Sequence, residues 1–387
     1  MTATGSAPQI PLFDLRLEPE DLDAVAQTLR SGWLTMGPRA AAFEEAFAAQ
    51  LGCRHAVVVS SCTAALHLAY LAAGVGPGDE VIVPSYTFAA TANAVLYCGA
   101  TPVFADIVGP HDLGIDPDDV AARITPRTKA VAAVHFAGYP AAVDRLLALC
   151  DAHGLALVED AAHSPSARLG ERKLGTWGLA GCFSFFSNKV LPAGEGGLLA
   201  TDSDEVAELA RRWRSHGMTS GSWERHTRTA GGYDVIGPGL NYRLDEPRCA
   251  LLLSRLGRLE AEIARRRELV ATYRERLSQV PGVIVPYPDE ALELSSAYVM
   301  AILLEEPDRR PALREALLAG HGIQTSIFYP AVHEFTAYRK RFPEVSLPRT
   351  EWASRAEVTI PLYPHMTEAD QDRVCSAIEG ELGACGA

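Results

Sequence analysis

The stretch "HAVVVSSCTAALHLAYLAAG", His55 to Gly74, changes character halfway along. Ala56 to Val59 form an unbroken apolar run rich in β-branched valine. That is the pattern of a short strand covered on both faces, as in a parallel sheet. From Cys62 the alanines and leucines continue at helical spacing until Gly74, the usual residue beyond a helix C-terminus. Strand, hydroxyl pair and helix make one βα unit, and the same alternation continues downstream. "DEVIVPS" leads into "TFAATANAVLYCG", which closes at Gly99. "TPVFADI" and "TKAVAAVHFAG" read as strands, "AVDRLLALCDAHG" as a helix closed by Gly154, and "LALVEDAAHS" as another strand. The alternation predicts an α/β fold: a three-layer α/β/α large domain around a mostly parallel sheet.

Beyond Tyr242 the pattern shifts. Pro247 to Val280 is rich in Leu, Arg, Glu and Ala and predicts one long helix with room for a kink. "AYVMAILLE" reads as a strand, "RRPALREALLAGHG" as a helix, "IQTSIFYP" as a strand, and a last helix begins near "TEADQDRVCSAIEG". This predicts a smaller C-terminal α/β domain, with residues 1–249 in the large domain and 250–387 in the small one.

The chain of 387 residues is 48% hydrophobic and 21% charged, the profile of a globular protein with a large core. Its net charge of −13 argues against nucleic acid as the main partner, because phosphate backbones need clustered Lys and Arg. A small anionic ligand needs only a few local cations. The opening "MTATGSAPQI" shows no signal-peptide pattern, and no apolar run is long enough to cross a membrane, so a cytoplasmic location is expected. The eight cysteines, Cys385 among them, form no C-x-x-C pair. Reduced thiols, with neither a disulfide frame nor a metal site, are expected.

In open α/β sheets ligands bind at the carboxyl ends of the strands. Four blocks there carry chemistry. Ser61, Cys62 and Thr63 lie between a strand and a helix N-terminus, where free N–H groups suit a phosphate; an ordinary helix cap by the same residues is the alternative. Tyr86 and Phe88 end the second strand, where either could stack on a flat ring or pack in the core. Glu159 and Asp160 follow four apolar residues, with His163 three positions on; buried carboxylates need a cation or several donors, in a site or in a structural ion pair. Lys189, in "FSFFSNKVLPAGEGG", follows a buried run that includes Ser184 and Ser187. A partly desolvated lysine loses basicity and attacks carbonyls. A carbonyl cofactor with a phosphate and a basic ring nitrogen would use all of these parts, and pyridoxal 5′-phosphate (PLP) is that cofactor.

These blocks identify a resemblance to the DegT/DnrJ/EryC1/StrS family of sugar aminotransferases, which share the fold of aspartate aminotransferase. It runs from "SGWLTMGP" through "SCTAALHLA", "PSYTFAATANAVLYCGATPVFADI", "VEDAAHS" and "FSFFSNKVLPAGEGG" to "GLNYRLDEPRCALL" and "PLYPHMTEADQDRV". The resemblance implies that Lys189 holds PLP covalently and moves the proton, while Asp160 pairs with the pyridine nitrogen. His163 would lie near the phenolic oxygen, and Phe88 would stack on the ring. Cys62, Thr63 and Ser184 would bind the phosphate. Asn241 would reach the phosphate of the other subunit in a homodimer with shared sites, with Arg243 nearby, and Tyr329 and His333 would lie near the substrate or the dimer contact. Cys62 stands where relatives often have glycine, Val190 where they have asparagine, and "HFAGYP" replaces "HLYGQP".

The implied reaction moves an amino group from glutamate or glutamine to a keto-sugar, most simply a nucleotide-linked keto-deoxysugar of amino-sugar or antibiotic biosynthesis. A keto-cyclitol of the inosose type is the alternative acceptor. Some relatives carry histidine in place of the lysine and act as sugar dehydratases; Lys189 favours transamination here. A regulatory or scaffold protein with a vestigial PLP fold is the reading of a different class, and the intact Thr63, Asp160 and Lys189 weigh against it.

Overall fold

The computed structural model describes residues 9–227 and 232–383. Cys385 and residues 1–8 of the opening segment lie outside the described residues.

Seven strands make the main sheet: β1 (His55–Val59), β2 (Glu80–Pro84), β3 (Thr101–Ala105), β4 (Thr128–Val134), β5 (Ala156–Asp160), β6 (Ala180–Ser184) and β7 (Gly197–Thr201). Their spatial order is β1-β7-β6-β5-β4-β2-β3. Every neighbouring pair is parallel except the two that β7 makes, which are antiparallel. The apolar runs are unbroken because both faces are covered, and successive residues serve opposite faces. Val57, Val59, Val81 and Val83 pack with Leu66 and Leu68 of the Cys62–Ala72 helix. Ile82, Val131 and Leu157 pack on the other side with Val143 and Leu146 of the Val143–His153 helix. Val58 and Leu198 meet Phe43 and Phe47 of the Pro38–Leu51 helix. Each such fully buried side chain stabilises the fold by roughly 1.5–3 kcal/mol. The result is an α/β/α sandwich.

A three-stranded antiparallel sheet forms the smaller unit: Val283–Ile284, Met300–Leu304 and Glu357–Ile360. The Leu259–Leu277, Arg310–His321 and Glu368–Gly383 helices pack around it. The N-terminal segment joins this unit rather than the large sheet: Ile10 bridges Ile323, and Leu12 O accepts from Leu362 N at 3.1 Å.

Two sequence expectations need correction. The long helix is two helices, Glu246–Leu256 and Leu259–Leu277, broken at Gly257 and Arg258. Glycine lowers helix propensity by about 1 kcal/mol, and the Arg258 amide turns back to Arg255 O at 3.0 Å. "IQTSIFYP" is not a strand. It makes only isolated bridges, Ile323 to Ile10 and Ser326 to Thr359. Further along, the Phe328 amide is taken by the Glu357 carboxylate at 2.7 Å, and Pro330 has no N–H for a ladder. Among the described residues no helix is long and apolar enough to cross a membrane, and the seven described cysteines are free thiols.

Candidate active site

The carboxyl ends of β1, β2, β4, β5 and β6 converge on one cavity of about 420 Å³. The loop after β1 supplies Ser61, Cys62 and Thr63, and the loop after β2 supplies Thr87 and Phe88. Asp160 and His163 come from the end of β5, and Ser184 and Lys189 from the end of β6 and the loop beyond it. Tyr298, Phe328 and Tyr329 enter from the C-terminal part of the chain.

The helix start at Ser61 is capped and also faces the cavity. The Ser61 hydroxyl accepts from the Ala64 amide at 3.1 Å, an ordinary cap. Cys62 and Thr63, the first helical residues, still line the cavity. Gly197 on β7 makes this loop fit: a Cβ there would stand 2.2 Å from the carbonyl carbon of Ser61 and 2.4 Å from the Cys62 amide nitrogen. The Cys62 side chain points into the protein. Its thiol donates to Cys182 O at 3.4 Å and lies 3.8 Å from Asp160 Oδ1. It therefore sits beneath the site and leaves the helix start clear.

The aromatic pair after β2 divides. Tyr86 is core, 1% exposed, with its hydroxyl on Phe328 O at 2.8 Å. Phe88 is 61% exposed and lines the cavity. The two carboxylates of β5 divide as well. Glu159 accepts from the amides of Gly175, Trp177 and Gly178 at 2.7, 2.6 and 2.9 Å and faces His135 Nε2 at 3.0 Å. Asp160 faces the cavity. Its Oδ2 accepts from the Thr91 hydroxyl at 2.7 Å and its Oδ1 from the Ala162 amide at 3.2 Å. Burial pushes its pKa above the ordinary carboxylate value, and those donors with the nearby Lys189 ammonium pull it partly back.

Lys189 is partly buried. Burial lowers its pKa from 10.5 to about 8, against the opposing pull of the Asp160 carboxylate. Its Nζ donates to the Tyr298 hydroxyl at 3.2 Å and lies 4.4 Å from that ring's centroid. The same hydroxyl donates to Asn188 Oδ1 at 3.1 Å. His163 is buried, and desolvation drives its pKa well below the ordinary histidine value, so the ring is neutral. Its Nε2 meets the Tyr329 hydroxyl at 3.0 Å, while Nδ1 has no partner among the described residues.

Three sequence candidates lie elsewhere in the subunit. His333 is buried between Ser85 Oγ at 2.7 Å and Glu351 at 3.3 Å and does not line the cavity. Asn241 is exposed, in an isolated bridge to Ser215. Arg243 lines a separate cavity of about 500 Å³. Neither caps the following helix, because Asp245 does so, accepting from the Arg248 amide at 3.1 Å. Conversely, Tyr298, Thr91 and Asn188 escaped the sequence reading. Thr91 lies within the quoted "TFAATAN" block and Asn188 directly precedes Lys189, but nothing local marks Tyr298.

A buried carboxylate, a weakly basic lysine, an orphaned imidazole nitrogen and an open helix start around one cavity form a donor set that suits PLP. A family model described as the DegT/DnrJ/EryC1/StrS aminotransferase family matches residues 16–379. The chain belongs to that family. It is a PLP-dependent aminotransferase by membership. The spore coat polysaccharide biosynthesis protein SpsC of Bacillus subtilis is 40% identical over 364 residues, 93% of each chain. The solved aminotransferase TlmJ of Streptoalloteichus hindustanus is 35% identical, with a TM-score of 0.90 over 98% of this chain and 100% of that one. DesI, solved in the presence of its TDP-sugar product, is 33% identical, with a TM-score of 0.86 over 99% of this chain and 95% of that one.

Proposed function

We propose that this sugar aminotransferase moves an amino group from glutamate or glutamine to a nucleotide-linked keto-deoxysugar. The observation that carries the reading is the convergence of Lys189 and Asp160 on one cavity. DesI, whose TDP-sugar product is known, supports the nucleotide-linked acceptor.

The bound cofactor would supply an electron sink for cleavage of the donor's Cα–H bond. The side chains have these roles. Thr63, Ser184 and the amides at the Cys62 helix start would bind the phosphate, where the helix dipole favours an anion. Phe88 would cover one face of the ring. Asp160, fixed by Thr91 and Ala162, would hold a proton on the ring nitrogen through its negative charge. His163 Nδ1 would meet the phenolic oxygen and gain the partner it lacks. Lys189 would hold the cofactor covalently and, once displaced by the donor amine, carry the proton between the donor carbon and the cofactor. Its pKa near 8 suits a group that must give and take a proton near neutral pH. Tyr298 would orient the amine, and Tyr329 would lie beside the substrate.

Asn241 and Arg243 lie away from this subunit's cavity and do not cap the adjoining helix. This supports a homodimer in which they complete the partner's site.

Glutamate and glutamine, each offered with a panel of nucleotide-linked keto-sugars and a keto-cyclitol, would test the reading. Mass detection should find the aminated nucleotide sugar. Amination of the cyclitol alone, or loss of water without nitrogen gain, would overturn it.

A further inference from the structure

A second cavity, of about 390 Å³, adjoins the first, and Asn188 and Lys189 line both. Its walls are the Phe13–Glu18 segment, the loop around Lys189, the helices on either side of Gly257, and Pro364 with His365. Arg16, Arg255, Arg258, Arg265 and Arg266 line it, in a chain whose net charge is −13.

Of the three carboxylates at this cavity, two are already engaged, and Glu18 is exposed to solvent and makes no side-chain cap bond. Asp14 meets His365 Nε2 at 2.7 Å. Glu262 accepts from Arg255 at 3.2 Å. Behind this wall the buried Asp21 pairs with Arg258 at 2.6 Å and with Arg255 at 3.5 Å, which leaves Arg266 as the buried cation without a counter-charge. Arg266 is 5% exposed and forms no ion pair among the described residues; it bonds only the Tyr298 and Leu362 carbonyls, at 3.3 Å each. Its Nε has no partner, and neither has the Nε of Arg255, 4% exposed. Arg16 comes no closer than 3.9 Å to Asp14, and Arg265 pairs with the exposed Glu268. A buried guanidinium without a counter-charge is strongly unfavourable. An oxyanion would relieve it, and guanidinium forks bind carboxylate and phosphate alike.

We propose that this cavity is an oxyanion subsite, holding a carboxylate or phosphate group of a substrate whose reacting end lies at Lys189. The proposal rests on the aminotransferase reading only for the carrier of that group. The carboxylate belongs to an amino-acid donor, and the phosphate to a nucleotide-linked acceptor.

Calorimetric titration of the PLP-loaded protein at low ionic strength tests it without turnover. The probes are glutarate, a dicarboxylate with no amine to react, and inorganic pyrophosphate. Wild type should bind at least one of them saturably. The Arg16→Gln/Arg265→Gln double variant should weaken that binding at least tenfold. These side chains are 66% and 37% exposed, so the fold should survive, as circular dichroism would check. Arg145→Gln, at the exposed Arg145–Asp118 pair, should change nothing. A response to glutarate assigns the cavity to the donor, and a response to pyrophosphate assigns it to the nucleotide sugar. If neither probe binds wild type, or the double variant binds as tightly, the proposal falls. Failure to transaminate any sugar would overturn the functional reading and leave this binding result standing.

Discussion

Replacing Lys189 with methionine should stabilise the cofactor-free protein. The ammonium is buried between Tyr298 and Asp160, and its pKa falls from 10.5 to about 8. A pKa lowered on folding means that the native state holds the proton less tightly than the unfolded chain does. Below pH 8 the lysine is charged in both states, and the folded protein bears the full penalty. From pH 8 to pH 10.5 the penalty fades, and above 10.5 it is gone. The drop from 10.5 to about 8, at about 1.4 kcal/mol per pKa unit, sets a ceiling of about 3.5 kcal/mol. Water reaching the partly exposed side chain reduces this to roughly 1–3 kcal/mol. Methionine keeps the length and removes the charge. Urea denaturation of both cofactor-free proteins, followed by circular dichroism, should give the variant that advantage at pH 7 and little at pH 10.5. Taking the difference between variant and wild type cancels the other groups that titrate in this range. A variant no more stable at pH 7, or a gain unchanged at pH 10.5, would refute the claim that Lys189 is held as a weak base. The low basicity that suits it to attack a carbonyl would then have no physical source.

Other outcomes follow from the same geometry. Lys189→Ala should abolish amination, and borohydride reduction of the wild-type holoprotein should leave the cofactor's mass on the Lys189 peptide; mass on another lysine would move the site. Asp160→Asn should keep the fold and lose roughly 10²–10³-fold in amination rate, because an amide cannot hold the ring nitrogen protonated; wild-type turnover by mass detection would remove Asp160 from its role. Co-expressing Lys189→Ala with an impaired Asn241→Asp chain should restore about a quarter of wild-type activity, since half the dimers would carry one intact site. No recovery would place both residues in the same subunit's site.

The parallel sheet was legible because its signal is local. A strand buried on both faces must be apolar at every position, and a glycine after each helix marks the turn. The blocks around Cys62, Phe88, Asp160 and Lys189 were legible because each ends such a strand. Pairings between distant segments were not. Tyr298 follows Lys189 by 109 positions, and only folding sets its hydroxyl 3.2 Å from Nζ. "IQTSIFYP" has strand composition, but its neighbours offer it single bridges and a carboxylate rather than a ladder. His333 entered only through the family resemblance, and Ser85 and Glu351 hold it in place away from the cavity.

The adjacent acids Glu159 and Asp160 show why composition alone could not assign the site. Both end β5, both are buried, and both could have formed a structural ion pair. Successive residues of a strand point to opposite faces, so one step along the chain separates their environments. Glu159 is turned toward the loop at residues 175–178, where three amides and His135 occupy its oxygens. No lone pair is left for a ligand in any favourable direction, and its charge serves the loop. Asp160 is turned toward the cavity with one hydroxyl and one amide, fewer donors than an ionised carboxylate can accept. Burial drives it toward neutrality, and its two donors and Lys189 only partly resist. A protonated ring nitrogen would supply the missing charge and the missing hydrogen bond together. The incompleteness of Asp160, set against the completeness of Glu159, is therefore what supports the proposal that Asp160 rather than Glu159 meets the cofactor.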